Sequence, residues 1–110
     1  MKEVRIIMRK KDRIDYVLNG VCAYYGITLD ELTSTRARSV KKYRQKRITI
    51  KILRDIADCS FKDIRYCFKH GDESNTWQIH QHISEDLDSD SSFNRELKKE
   101  YADILKFLGL

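Results

Sequence analysis

Ser60-Phe61-Lys62-Asp63-Ile64-Arg65-Tyr66-Cys67-Phe68-Lys69-His70-Gly71-Asp72-Glu73-Ser74-Asn75-Thr76-Trp77-Gln78-Ile79-His80-Gln81-His82-Ile83 decides the fold. Ser60 followed by Asp63 reads as a capping box, in which a hydroxyl and a carboxylate satisfy reciprocal backbone amides at a helix start. Phe61, Ile64 and Phe68 then fall inward. Gly71 closes a turn over Lys69 to Asp72, and a second helix is predicted from about Glu73 to Leu87, with Trp77, Ile79 and Ile83 as its apolar side. Helix, Gly-containing turn and helix over 60–87 make the pattern of a helix-turn-helix, whose second member reads base edges.

Directly upstream, Arg36, Arg38, Lys41, Lys42, Arg44, Lys46, Arg47, Lys51 and Arg54 lie in one stretch that holds no acidic residue. Ser39 is the expected N-cap of a long helix running to about Ala57, with Val40, Tyr43, Ile48, Ile52, Leu53 and Ile56 as its apolar positions. The cations then occupy other faces, one of them open to phosphate. Ordinary solvated helix surfaces interleave both signs, and this one does not. Residues 1–71 hold 18 basic and 8 acidic side chains, a net of +10, whereas 72–110 hold 4 and 9, a net of −5. Such asymmetry predicts a cationic face turned toward a polyanion.

From Asp12 to Tyr25, Ile14, Val17, Leu18, Val21, Cys22 and Tyr25 follow amphipathic helical spacing, and Gly26 is a natural stop. Thr28 and Glu31 form another capping box, opening a short turn of helix through Leu32. Thr33 to Arg38 reads as a basic loop. After the polar loop Asp88-Ser89-Asp90-Ser91-Ser92, a last helix is built on Phe93, Leu97, Tyr101, Ile104, Leu105 and Leu108. Residues 1–10 suit a short strand, a helical extension or a loose arm, and the pattern does not choose among them.

The 110 residues form one domain by length, with 1–11 as an arm or extension. Absent proline and few glycines favour an all-α fold. No stretch reaches the roughly 20 apolar residues that cross a bilayer, and the start lacks a signal-peptide run, so a cytoplasmic protein is expected. Cys22, Cys59 and Cys67 fit no disulfide framework and read as small core residues. Cys67 and His70 have no second pair at zinc-ligand spacing, because His80 and His82 point to different sides of one helix. No metal, cofactor or catalytic activity is expected; a Cys-His nucleophile lacks an accompanying oxyanion motif.

Val21-Cys22-Ala23-Tyr24-Tyr25-Gly26-Ile27-Thr28, Leu32, Arg36-Ala37-Arg38-Ser39-Val40, Arg44-Gln45, Ser60-x-x-Asp63-Ile64-x-x-x-Phe68 and Asp72-x-Ser74 resemble the C-terminal DNA-binding domain of the bacterial chromosomal replication initiator, DnaA. The likeness in order and spacing extends from Ile14 to Ile83. It implies a Trp-repressor-like helical domain with an embedded helix-turn-helix that binds duplex DNA. By the same resemblance Arg36 or Arg38 enters the minor groove, Arg44 and Gln45 touch the DNA backbone, and the second helix begins with the base-reading motif. That motif departs from the family. Glu73 stands in place of a histidine, Asn75 in place of a threonine, Gly71 in place of a base, and Arg65 in place of a small residue. A one-residue slip puts Thr76 at the threonine position. Glu73 accepting from cytosine and Asn75 pairing with adenine would read a different sequence.

The chain is too short for that family's ATPase module and has no Gly-rich GK[ST] loop, so a detached, nucleoid-associated reader is expected. The residues expected at nucleic acid are Arg36, Arg38, Lys41, Lys42, Arg44, Gln45, Lys46, Lys69, Asp72, Glu73, Ser74, Asn75, Thr76 and Gln78. Two other readings compete: a protein-interaction module that partners or rivals replication proteins, and an RNA binder using the same cationic face.

Overall fold

The computed structural model describes residues 9–34, 39–69 and 73–110. Among these the chain is all helical, without a strand. α1 spans Lys10–Tyr25, α2 Leu29–Thr33, α3 Val40–Asp55, α4 Phe61–Cys67, α5 Glu73–Asp88 and α6 Arg95–Phe107, with one tight helical turn at Ser92–Asn94. Lys10 and Lys11 therefore belong to α1 rather than to an arm, and the open question over residues 1–8 lies outside the described residues.

Local chemistry sets the boundaries. Gly26 ends α1 in the left-handed conformation, φ 68°, where its N–H and that of Ile27 both donate to the Cys22 carbonyl. Both capping boxes form: Thr28 Oγ1 accepts from the Glu31 N–H at 3.1 Å, and Ser60 Oγ from that of Asp63 at 3.1 Å. Ser39 Oγ caps α3 by accepting from the Lys42 N–H. α3 stops at Asp55, two residues short of the expected Ala57. Beyond it the chain turns through Asp58 at φ 58°, and two arginines bond the carbonyls there, Arg13 Nε to Ala57 at 2.8 Å and Arg54 Nη1 to Cys59 at 3.1 Å. Cations at a helix C-terminus also interact favourably with the negative end of its dipole.

α3 is the hub, packed against α1, α2, α4 and α5. Its second half is buried on nearly every side: Ile48, Thr49, Ile50, Ile52 and Leu53 are fully enclosed. Thr49 tolerates this because its hydroxyl donates to the Gln45 carbonyl at 2.7 Å, and Thr33 likewise to Leu29 at 2.9 Å. Ile64 of α4 and Ile79 and Ile83 of α5 complete one side of this core; Leu97 and Ile104 of α6, with Leu108 just past its end, close the other with Val17 and Val21 of α1. Tyr25 donates to Glu100 at 2.7 Å, and the Tyr16 hydroxyl to the Leu108 carbonyl, tying α6 to α1. Gly20 permits that approach, since a Cβ there would collide with Leu108 Cδ2.

Three expected core residues lie outside. Val40 is exposed in the first turn of α3, ahead of the enclosed half of that helix. Trp77 is 48% exposed, because Thr76 with Ile79 and Ile83 forms the inward stripe of α5. Phe93 is 90% exposed, ahead of the stripe that begins at Leu97. Cys22 and Cys59 are buried and Cys67 half-buried, all three as free thiols.

Candidate nucleic-acid interface

α4 and α5 follow each other and pack together, with the Phe61 ring edge-on to His80 at 5.4 Å. α5 is locked to α3 by a polar ladder running the opposite way along the two helices. His80 Nε2 meets Asp55 Oδ1 at 2.8 Å, Lys51 Nζ reaches Ser84 Oγ at 2.8 Å, and Arg47 Nη1 meets Asp86 Oδ2 at 2.7 Å. Lys51 also pairs with Asp55 at 2.5 Å. Burial raises the Asp55 pKa, but the hydrogen bonds and charges of Lys51 and His80 more than offset it and leave this carboxyl below its ordinary range. These bonds fix which side of α5 faces out.

The outward side carries Glu73, Ser74, Asn75, Trp77, Gln78, Gln81 and His82, all exposed. Its groups are mostly uncharged donors and acceptors, suited to hydrogen bonding with base edges. The carboxylates of this helix, Glu73 apart, gather at its far end as Glu85, Asp86 and Asp88.

The chain just past α4 is tied to α2. The Lys69 N–H donates to the Thr33 carbonyl at 2.9 Å, and the Lys69 ammonium pairs with Asp30. Glu73 follows Lys69 by four residues, a reach of at most about 14 Å. Thr33 is separated from residues 35–38 only by Ser34. Arg36, Arg38, Asp72 and the turn expected at Gly71 lie outside the described residues.

Along α3 the expected contacts divide. Lys41 and Lys42 are exposed and have no carboxylate partner among the described residues. Arg44 faces Glu100 at 3.7 Å, so its charge is partly met within the fold. Lys46 is half-buried with its ammonium 5.5 Å from the Phe68 ring centre, and burial pushes its pKa down. Gln45, 6% exposed, and Thr76, 5% exposed, drop out of the surface set, since their side chains fill space in the core instead of reaching solvent. Periodicity hid this because it counts only apolar residues.

α4 brings Lys62, Arg65 and Tyr66 beside the expected Lys69. Lys62, Arg65 and Tyr66 recur at helical spacing on the outer side of α4, with Tyr66 68% exposed, and Lys69 follows just past the end of the helix. The Arg65 guanidinium lies 5.1 Å from the Tyr66 ring centre, and neither Lys62 nor Arg65 meets a carboxylate among the described residues. The signal was legible as a basic stripe interleaved with an aromatic.

Among the described residues no three His, Cys, Asp or Glu side chains converge as metal ligands, and no helix is long and apolar enough to cross a membrane. Burial pushes the Cys67 thiol up to about 11, which keeps it protonated and poorly nucleophilic at neutral pH. A cavity of about 320 Å³ opens between α3 and the start of α6, lined by Val40, Tyr43, Arg44, Arg47, Phe93 and Leu97. No family model, curated protein or solved structure matches the chain.

Proposed function

We propose that this chain binds double-stranded DNA as a replication-initiator-like helix-turn-helix module of the Trp-repressor type. α5 enters the major groove, α4 lies across the backbone, and the 36–46 basic segment serves the minor groove and adjacent phosphates. The observations that support this reading are the exposed leading turn of α5 and the Lys69–Thr33 hydrogen bond, which holds together the chain four residues before Glu73 and three residues before Arg36. A single duplex can then meet both. Lys41, Lys42, Lys62 and Arg65, unmatched by carboxylates among the described residues, supply attraction independent of sequence. Ser74, Asn75 and Gln78 supply hydrogen bonds at the groove floor. The DnaA-like residue pattern agrees in order with this assignment of roles.

Selection from a random duplex library at near-physiological salt tests it. An enriched motif is the expected result. Replacing Arg36 and Arg38 with alanine weakens binding to every sequence and lowers the log–log salt slope by about 0.9 for each phosphate that the protein ceases to neutralise. Asn75→Ala relaxes preference at one or two base pairs while leaving that slope in place. A library that returns no motif, with mobility shifts indifferent to the arginines, refutes the assignment.

A second reading has its own support. Val40 and Phe93 leave large apolar surfaces beside the α3–α6 cavity, and Arg47 Nε there is buried without a hydrogen-bond partner among the described residues. A protein partner fits that face, and a replication protein is the candidate class. Phe93→Ala abolishing a specific pull-down, with only salt-labile DNA binding, favours it.

A further inference from the structure

We infer that Trp77 is a specificity-determining residue of the α5 face, one that reads the C5-methyl group of thymine in the major groove. The inference rests on the DNA-binding reading and sharpens it. Trp77 is the chain's one tryptophan, and nearly half of its surface faces water. It sits one helical turn from Ser74 and from Gln81 and next to Gln78, so it shares the outward side of α5 with groups that bond base edges.

Its exposure follows from the register. Thr76, Ile79 and Ile83 take the core side, and the His80–Asp55, Ser84–Lys51 and Asp86–Arg47 contacts fix α5 in that rotation. Trp77 cannot turn inward without breaking them. A flat apolar ring among uncharged polar neighbours gains from covering another apolar group, and on a major-groove floor the thymine methyl is the one such group presented. Cations from the adjoining α4 stripe, Lys62 and Arg65, match a phosphate-lined partner better than an apolar protein surface.

The test uses the full chain and two duplexes of one alternating A·T sequence, made with thymine or with uracil. The emission of Trp77 is expected to change on titration with the thymine duplex. The wild type should bind thymine about fourfold more tightly than uracil for each methyl covered, the equivalent of roughly 0.8 kcal/mol. Trp77→Ala should bind both equally, with helicity unchanged by circular dichroism. Emission unmoved at saturating duplex, or an undiminished thymine preference in Trp77→Ala, overturns the inference while leaving DNA binding intact. A face reserved for a protein partner gives that same unmoved emission. If neither duplex nor the random library binds, the broader proposal falls as well.

Discussion

α3 carries the same residue types on two sides and uses them differently. Arg44, Arg47 and Lys51 recur at helical spacing; the first two meet Glu100 of α6 and Asp86 of α5, and Lys51, paired with Asp55 of its own helix, reaches Ser84 of α5, so this side is a polar seam holding α3 to the C-terminal helices. Lys41 and Lys42 of the first turn meet no carboxylate among the described residues. Among the described residues the run of cations thus includes both structural members and available ones. The acidic balance of the last third of the chain is also partly explained, because Asp86 and Glu100 neutralise the seam from across the fold.

The largest effect that separates the two sides is expected from Arg47→Ala. It strands Asp86 and removes the guanidinium packed 5.6 Å from the Tyr43 ring centre, at a cost of about 2 kcal/mol in urea unfolding. If the midpoint does not move, the seam is decorative. Next is Ser39→Ala, which deletes the cap of the helix that both sides share and lowers stability by about 1 kcal/mol in the same assay.

Smaller is the pH response of Asp55. Its folded pKa lies below the unfolded one, so its contribution is complete above the ordinary Asp range and is lost as pH falls through the folded value. The urea midpoint of Asp55→Asn should be flatter than that of wild type between neutral and acid pH. A parallel decline in both would remove Asp55 from the account. Least for stability, and most telling for function, is the double change Lys41→Ala and Lys42→Ala. Unfolding should shift by less than about 0.5 kcal/mol, while the log–log salt slope of DNA binding falls by about two. An unchanged slope would mean that the first turn of α3 does not touch phosphate.

Much of the fold was legible because it is local. Thr28 with Glu31, Ser39, and Ser60 with Asp63 each mark a helix start through groups three residues apart, and all of them cap as expected. What escaped was set by distant packing. Trp77 reads as core because it shares a short apolar run with Ile79 and Ile83, yet Thr76 occupies the inward position, two turns before Ile83. Gln45 reads as surface because polar residues usually are, yet it is buried, and beside it backbone bonding lets Thr49 be fully enclosed. The seam joins positions 39 and 56 residues apart, Arg47 with Asp86 and Arg44 with Glu100, and no spacing rule connects those. The α4 stripe does obey such a rule, but its few cations stand beside the denser run upstream, which dominates any count of charge.

The seam has one more consequence, for how the molecule approaches a partner. Cancelling charge along one side of α3 while leaving its first turn bare makes the electric field uneven. On the proposed DNA-binding reading, a polyanion is drawn preferentially toward the bare end, and added salt, by screening that field, slows its arrival.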